Sequence, residues 1–350
     1  MNVYFLADTH LGMKGDNPIW LDDCMDYYEK VFIPFCKEYV QPQDVLVHLG
    51  DVYDCRSSIG LNTINKSIHL FEELSKTFSK IILIVGNHDI FQKHSNDITS
   101  LNMLKYIPNV EIISKPEVRK LGKKDVLFVP WIEEIEEQKK LLKSHNVDYV
   151  FGHLEVGGCV TSSKGNRLKT NNAIQSDDFK KSQVYAGHIH IRQDYKNIHY
   201  IGTPYHKDRG DIGNKKGITI LNIDTDKTQF IPNNYSPEFV RVNMCDILDK
   251  TLSELKSQWK NKYVDLVIKS NHVPSLNFDD VRKSLTGVFK EFNIVPDKSE
   301  EVMNLETVNI DVSEVRTMDE MFHDCMNRLD IDDEKQKNIM GILEKYKGLI

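Results

Sequence analysis

The 350-residue chain is long enough for one large catalytic domain and a smaller second domain. Its hydrophobic content of 40% and charged content of 28% are ordinary for a soluble globular protein, and no stretch approaches the roughly 20 apolar residues of a membrane span. The first apolar run, Val3–Ala7, is too short for the core of a signal peptide, and the six cysteines are scattered without a C-x-x-C pair. These features predict free thiols and a cytoplasmic location.

The net charge of −7 argues at first against a nucleic-acid partner, but the charge is unevenly distributed. Residues 301–350 hold 12 acidic and 6 basic side chains, whereas residues 161–216 hold 11 basic and 5 acidic ones. A local basic stretch can attract a polyanion even when the whole chain is acidic. A solvated loop with an excess of lysine is the alternative explanation.

The first 225 residues alternate between short apolar runs and helical periodicity. Pro34 should kink or interrupt the first predicted helix, and a hairpin should turn at Gly122. The predicted strands are Val3–Ala7, Val45–Leu49, Ile81–Val85, Val118–Leu121, Val126–Val129, Tyr149–Phe151, Val184–Ala186, Ile198–Ile201 and Ile218–Ile223. The predicted helices are Leu21–Tyr39, Leu61–Phe78 and Glu133–His145.

Residues 232–237 predict a linker, because two prolines and several turn formers break any periodic pattern. The strands predicted after it are Phe239–Met244 and Val264–Ile268, and the helices are Ile247–Trp259 and Asp279–Phe289. From Met318 onward the apolar residues fall on one helical stripe. We therefore predict an α/β protein with three parts: a layered body of mixed sheets flanked by helices (1–235), a small α/β capping and DNA-contact domain (238–310) and an amphipathic helical tail (311–350).

Five short polar clusters each follow one of the predicted strands. They are Asp8-Thr9-His10, Gly50-Asp51, Gly86-Asn87-His88-Asp89, Gly152-His153 and Gly187-His188-Ile189-His190. Carboxylate, amide and imidazole groups at neighbouring strand ends can hold two divalent cations over one shared carboxylate. Two ions about 3.5–4 Å apart contact both the attacking and the leaving oxygen of a phosphoryl transfer. The clusters therefore predict a two-metal phosphoesterase.

Each cluster taken alone has an ordinary structural explanation. An isolated Asp-x-His is more often a polar turn than a metal site, and one histidine is readily a core residue. His188 and His190 flank a single apolar residue, so in an extended segment both side chains point to the same side. Because all five clusters occur in order at strand ends, metal binding explains the set better than five unrelated turns.

In these clusters, residues 1 to about 225 resemble the calcineurin-type metallophosphoesterases, whose signature is D-x-H, G-D, G-N-H-D/E, a later G-H and a final G-H-x-H. The opening Asp8-Thr9-His10-Leu11-Gly12 is closer still to the SbcD-like double-strand-break-repair nucleases. Similar nucleases are encoded by large phages. The resemblance implies the layered metallophosphoesterase sandwich and the hydrolysis of phosphodiesters.

Carried over by position, the resemblance implies two metal-binding groups that share Asp51. The first group is Asp8, His10, Asp51 and His190, and the second is Asp51, Asn87, His153 and His188. The nuclease family favours Mn(II), while iron, zinc or magnesium are alternatives for such mixed oxygen and imidazole ligands. A hydroxide formed from water between the ions would attack phosphorus in line with the leaving oxygen.

His88 is not in the implied ligand set. We predict that its imidazole lies beside the site and protonates or stabilises the leaving oxygen. Asp89 is assigned a structural role, either orienting His88 or capping the next helix. The chain departs from many cellular relatives at Asp54, where they carry a histidine, so no second catalytic or DNA-facing histidine is expected there.

Two dications and a basic stretch favour a phosphodiester polyanion over a neutral ester as the substrate. The candidate phosphate contacts are Arg56, Lys164, Arg167, Lys169, Lys207 and Arg209. Exposed basic loops are also common in proteins that bind no DNA. The chain has no G-x-x-x-x-G-K-[ST] motif, which argues against ATP hydrolysis of that type.

The resemblance implies a manganese-dependent exonuclease and endonuclease subunit of a recombination and double-strand-break-repair complex. It also implies a separate SbcC-type, SMC-like coiled-coil ATPase subunit, a homodimer and, if the chain is phage-encoded, the host cytoplasm. The candidate docking regions for the ATPase are the methionine-rich stripe at Met318–Leu329 and the predicted helix after Asp332. Packing of this tail onto its own domain or self-association is the alternative.

Two other functions are left open by the sequence. The first is a phosphoesterase for a nucleotide, a cyclic nucleotide or a phosphoprotein. The second is a non-catalytic scaffold that holds the ATPase at a DNA end. The intact set of metal-binding residue types argues against the scaffold, because a protein that has lost catalysis usually loses such residues too.

Overall fold

Two six-stranded sheets pack against each other in the computed structural model, which describes residues 1–92, 94–162, 165–169, 173–269 and 278–297. In spatial order, the first sheet contains β14 (Lys227–Pro232), β13 (Gly217–Asn222), β1 (Asn2–Leu6), β2 (Val45–His48), β3 (Lys80–Ile84) and β6 (Val110–Ile113). The second contains β11 (Gln193–Tyr195), β12 (Ile198–Tyr200), β10 (Gln183–Gly187), β9 (Tyr149–His153), β8 (Lys124–Val129) and β7 (Glu117–Leu121). A small hairpin, β4 (Ile90–Gln92) and β5 (Ser95–Thr99), stands apart from both.

The central strands are apolar on both faces because each face is covered. In β1, Val3 and Phe5 point into the space between the sheets, while Tyr4 and Leu6 point to the opposite side. The ring of Phe5 lies 4.9 Å, centroid to centroid, from that of Phe151 in the second sheet. This alternation explains why the first strand reads as a continuous hydrophobic run.

Helices cover the outer faces of the sandwich. They are α1 (Met13–Asp16, a short helical turn), α2 (Pro18–Tyr27), α3 (Ile33–Tyr39) and α4 (Leu61–Ser75) beside the first sheet, and α5 (Ile135–Ser144) beside the second. A π turn at Tyr28–Phe32 joins α2 to α3. The regular helix is thus interrupted just before Pro34, as predicted, because a proline has no N–H to donate. The layered α/β architecture predicted from the sequence is confirmed.

The sequence did not predict β4, β5, β6, β11, β14 or a later strand, β17 (Glu291–Asp297). Two of these, β5 (SNDIT) and β11 (QDY), are short and mostly polar, and β14 (KTQFIP) is largely exposed at a sheet edge. Edge strands bury little surface, so no hydrophobic pattern marks them.

A third sheet follows the predicted linker and has its own small core. It consists of β15 (Glu238–Asn243), β16 (Lys262–Lys269) and β17 (Glu291–Asp297), accompanied by α6 (Cys245–Leu248), α7 (Leu252–Trp259) and α8 (Phe278–Ser284). The single helix predicted at Ile247–Trp259 is wrong, since the chain forms two helices there. A capping box between Thr251 and Glu254 starts the second of them. The helix predicted to end at Phe289 ends at Ser284.

The three-stranded sheet is attached to the body through aromatic stacking. The Trp20 ring on α2 stacks on Tyr263, with centroids 4.7 Å apart, and on Phe239 at 5.7 Å. In the predicted linker, Asn233 is buried and its Nδ2 donates to the Pro204 carbonyl at 2.9 Å. Residues 232–237 therefore form a fixed turn.

Met1–Pro296 is one compact unit by its internal contacts. The domain boundaries at 235 and 310 stay predictions, and the tail at 311–350 with its methionine-rich stripe lies outside the described residues. Within the described ranges, no helix combines the length and apolar character that crossing a bilayer requires.

Candidate metal centre

The five polar clusters meet at one edge of the sandwich. Three follow the parallel strands β1, β2 and β3, and two lie at the ends of the parallel strands β9 and β10. Ligand atoms of Asp8, His10 and His190 lie within 4.8 Å of one another, as do those of Asp8, Asp51 and His153. The carboxyl ends of parallel strands share an edge, which is why residues as far apart in sequence as Asp8 and His190 converge.

Asp51 lies between two groups of potential ligands. Its Oδ2 is 3.7 Å from His10 Nε2 on one side and 3.3 Å from His153 Nε2 on the other. Beyond His153, the Asn87 Oδ1 is 2.8 Å from His153 Nε2 and 2.9 Å from His188 Nδ1. All seven predicted ligands are thus brought together, with the predicted shared carboxylate in the middle. Their role as ligands stays a prediction.

The backbone of the site is held in an uncommon conformation. Four of the seven predicted ligands have positive φ angles: Asp8 (52°), His10 (44°), Asp51 (57°) and His188 (88°). Such a conformation costs on the order of 1–3 kcal/mol per non-glycine residue, and strain of this kind clusters at functional sites. At Gly86 a side chain would overlap the backbone nitrogen and carboxylate of Asp51, so only glycine lets the two loops approach this closely.

Asp89 joins the two loops. Its buried carboxylate accepts hydrogen bonds from the N–H groups of Asp51 (2.8 Å), Val52 (3.0 Å), Tyr53 (3.2 Å) and Gly86 (3.0 Å). Asp89 therefore has the structural role favoured from the sequence, through contacts that differ from the two predicted. It fixes the loop that carries Asp51.

His88 faces the centre from the rim. Its backbone N–H donates to Asp51 Oδ1 at 2.8 Å, and its Nδ1 lies 2.6 Å from the Asp54 carbonyl. A carbonyl only accepts, so the proton of a neutral His88 ring is on Nδ1. The Nε2 atom is then the one that can take up or release a proton. A ring nitrogen of His88 also lies within 4.8 Å of ligand atoms of His10 and Asp51, so its exclusion from the ligand set stays a prediction.

Burial and mutual charge set the protonation of the site. Burial raises the pKa of Asp8 to about 7, with Asp51 adding to the effect. Burial would also raise the pKa of Asp51, but the charge of His153 holds it well below its ordinary value. Burial would lower the pKa of His153, yet Asp51 and Asp8 raise it to about 9. Burial lowers the pKa of His10 to about 4, which keeps that imidazole neutral and able to bind a metal.

The hydrogen-bonding pattern fits a cation. His153 has an oxygen at each ring nitrogen: the Leu49 carbonyl 2.8 Å from Nδ1 and Asn87 Oδ1 2.8 Å from Nε2. His188 likewise faces Asn87 Oδ1 with Nδ1 and Glu155 Oε2 with Nε2, the latter at 3.2 Å. A neutral imidazole has a single N–H and cannot donate to both oxygens. Without a metal, His153 satisfies both contacts as an imidazolium, in line with its pKa raised to about 9, and a cation would take the place of its Nε2 proton. A divalent cation at the inward nitrogens removes the excess of acceptors, and this oxygen and nitrogen set suits manganese, iron or zinc.

Two lysines support the same edge. The Nζ of Lys207, whose side chain is only 11% exposed, lies 3.9 Å from Asp54 Oδ1, and that atom is 3.1 Å from His10 Nδ1. The buried Lys216 donates to the His190 carbonyl at 2.7 Å and thereby fixes the last ligand loop. Among the described candidates for phosphate contact, Lys207 lies beside Asp54, whose carboxylate contacts the predicted ligand His10.

The other five predicted phosphate contacts stay predictions. Arg56 is half-buried in the loop after Asp51. Arg167 and Lys169 are exposed, and Arg167 donates to the Gly158 carbonyl at 2.7 Å. Arg209 donates to Asp265 of β16 at 2.6 Å, so it ties the body to the third sheet. Lys164 lies outside the described residues.

Trp131 and Glu155 were missed by the sequence analysis. The Trp131 ring stacks on the His188 ring with centroids 5.0 Å apart, and Glu155 contacts the far side of the same imidazole. Glu155 could have been found, because it follows His153 by two residues and the side chains of an extended segment alternate. Trp131 carries no comparable signal in the sequence.

Comparison with known proteins gives a family and one extended relative. The calcineurin-like phosphoesterase family matches residues 1–192. Exonuclease subunit 1 of Enterobacteria phage T4 is 27% identical over 327 residues, covering 85% of this chain and 94% of the relative. Among solved structures, the nuclease MPE of Pseudomonas putida is 18% identical with a TM-score of 0.28, over 48% of this chain and 67% of that one. The phosphopantetheinyl hydrolase of Mycobacterium tuberculosis is 13% identical with a TM-score of 0.35, over 58% of this chain and 90% of that one. Both TM-scores are too low to support an argument.

Proposed function

The chain belongs to the calcineurin-like phosphoesterase family, and we propose that it is a manganese-dependent DNA exonuclease and endonuclease subunit of a recombination and repair complex. The observation that carries the proposal is the convergence of seven candidate metal-binding side chains, Asp51 and six others around it. The exonuclease subunit of phage T4, which this chain matches over nearly all of that protein's length, supports a nuclease over other phosphoesterases.

Metal ions bound by these donors would polarise a phosphate group and lower the pKa of a water molecule. The chain's own residues supply the rest. Protonated His88 gives its Nε2 proton to the leaving oxygen, while the Asp54 carbonyl keeps Nδ1 protonated. The Lys207 ammonium binds a phosphate oxygen at the rim of the centre. The Asp89 contacts hold the Asp51 loop in the same place throughout.

The test is cleavage of linear and covalently closed circular DNA by the purified full chain, with manganese, with magnesium and with EDTA. We expect manganese-dependent release of nucleotides from linear DNA and nicking of circular DNA. The Asp51→Asn variant, assayed in parallel, excludes a contaminating nuclease. Inert DNA with either metal contradicts the proposal.

The competing function is a phosphoesterase for a small substrate. Cyclic nucleotides, nucleotides and a phosphopeptide are assayed under the same conditions. Rapid cleavage of one of these alongside inert DNA would replace the nuclease proposal with this one. If neither DNA nor a small substrate is cleaved while two manganese ions bind, the non-catalytic scaffold is favoured.

We further propose an SbcC-type coiled-coil ATPase as partner and a homodimer as the functional state. The support is the word "subunit" in the name of the phage T4 relative together with the sequence resemblance. Co-expression with an SbcC-type coiled-coil ATPase, followed by gel filtration with light scattering, tests both. A monomer that does not co-elute with the ATPase contradicts them.

A further inference from the structure

His188 is a predicted ligand whose outward ring nitrogen faces a carboxylate side chain. The inward Nδ1 of His188 faces Asn87 Oδ1 at 2.9 Å, and the outward Nε2 faces Glu155 Oε2 at 3.2 Å. By contrast, the outward Nδ1 of His153 meets a backbone carbonyl, that of Leu49. A backbone contact cannot be removed by substitution, whereas Glu155 can be replaced.

Two acceptors compete for the single proton of a neutral His188 ring: the Asn87 amide oxygen at Nδ1 and the Glu155 carboxylate at Nε2. The His188 ring stacks on the Trp131 ring, and the His188 backbone N–H donates to both carboxylate oxygens of Asp8, at 3.0 and 3.1 Å. These contacts place the ring but do not choose which nitrogen carries the proton. A metal ligand needs its lone pair on the inward nitrogen, so the proton must lie on Nε2.

We propose that Glu155 is a positioning residue that holds the proton of His188 on Nε2 and so keeps Nδ1 free to bind a metal ion. This inference rests on the proposed metal centre. An outer carboxylate hydrogen-bonded to a ligating imidazole fixes the ring and makes the inward nitrogen a better donor. Loss of such a partner costs about 10–100-fold in metal affinity, and since Glu155 is 45% exposed we expect a value near the lower end.

Manganese titration of the full chain by calorimetry tests the proposal with three variants. Glu155→Met removes the acceptor, and Glu155→Gln keeps an acceptor oxygen without the charge. Glu136→Gln is the matched control, because Glu136 lies on α5 with 87% of its side chain exposed and makes one salt bridge, with Lys139. We expect about tenfold weaker binding of one manganese equivalent in Glu155→Met, a smaller loss in Glu155→Gln and wild-type binding in the control.

A second readout separates positioning from general damage. In EDTA, with histidine labelled with nitrogen-15, long-range NMR correlations should show His188 protonated at Nε2 in the wild type. In Glu155→Met we expect that signal to be broadened or lost, while the His153 signal is unchanged. DNA cleavage at saturating manganese should stay within about threefold of wild type, since a positioning residue acts through occupancy of the site.

The outcomes are distinguishable from failure of the proposed function. If the wild type binds no manganese, the metal centre itself is refuted. If the wild type binds two ions and Glu155→Met binds them equally well, the centre stands and the role of Glu155 is refuted. If Glu155→Met unfolds at a lower temperature than the wild type in EDTA, its weaker metal binding could reflect general damage, and the isosteric Glu155→Gln is then the variant to compare. Wild-type manganese affinity together with a wild-type His188 NMR signal in folded Glu155→Gln also refutes the role of Glu155.

Discussion

The metal-binding edge and the basic segment at 165–169 are held in different ways. At the edge, Asp51 is 2% exposed, its loop is fixed by three hydrogen bonds to Asp89, and each neighbour comes from the end of a paired strand. In the segment, Arg167 and Lys169 are exposed, and Arg167 contacts only a backbone carbonyl among the described residues. The interaction energy of a buried, hydrogen-bonded charge depends strongly on the positions of its partners. Exposed charges attract a ligand mostly through interactions that solvent and salt screen. Substitutions should therefore have large effects at the edge and small ones in the segment.

The largest effect is expected from Asp51→Asn. Asparagine keeps the shape and can still accept from the His88 N–H, but it removes the charge between the two donor groups. We expect loss of bound manganese and a fall in cleavage of at least about a thousandfold, because metal ions contribute several kcal/mol to the stabilisation of the transition state. Metal analysis and DNA cleavage measure this. Asp177→Asn, 92% exposed in side chain, is the control and should behave as the wild type.

His88→Ala should separate proton transfer from metal binding. We expect cleavage to fall by about 10²–10⁴-fold, the usual contribution of a general acid, with manganese content unchanged. Loss of metal as well would make His88 a ligand, a role that its proximity to His10 and Asp51 allows. A substrate with a better leaving group, such as a p-nitrophenyl phosphodiester, should recover part of the activity if the role is protonation.

Lys207→Met tests the cation nearest the centre. A charge-assisted hydrogen bond to a phosphate is worth about 1.5–3 kcal/mol, so we expect a loss of about 10–100-fold in kcat/KM for DNA. Lys169→Met and Arg167→Ala, which change exposed cations, should lose less than about threefold. Equal losses of kcat/KM at all three positions would contradict the expected difference between the metal-binding edge and the basic segment.

The smallest expected effect is on stability in the metal-free protein. The folded state raises the pKa of His153 from 6.5 to about 9 and that of Asp8 from 3.8 to about 7, so it binds these protons more tightly than the unfolded chain. For His153 the resulting stabilisation is complete below pH 6.5 and is lost as the pH rises through 9. For Asp8 it is lost as the pH rises through 7.

We therefore expect the Tm in EDTA to fall by about 2–4 °C between pH 6 and pH 8.5, and manganese to raise Tm more at the higher pH. Differential scanning calorimetry measures both. His153→Gln should flatten part of the pH dependence, because it removes one of the two groups whose raised pKa causes the fall. A Tm in EDTA that rises over this range would contradict the assignment.

The sequence by itself determined the α/β class and the residue types of the centre. The buried strands appear as apolar runs because both faces of each sheet are covered, and the polar clusters follow them because strand ends reach the surface. A strand end followed by a short motif with glycine or histidine was enough to identify five positions in the sequence: Asp8, Asp51, Asn87, His153 and His188. Short polar edge strands such as β11 left no such pattern.

Only the tertiary structure decided the contacts between these clusters. Asp89 holds the Asp51 loop, Glu155 contacts His188, and Arg209 donates to Asp265. Each of these pairs depends on how loops from different strands pack, which no local spacing encodes. Sheet register fixes where a strand ends, whereas the side-chain partners of a loop depend on all the elements packed around it.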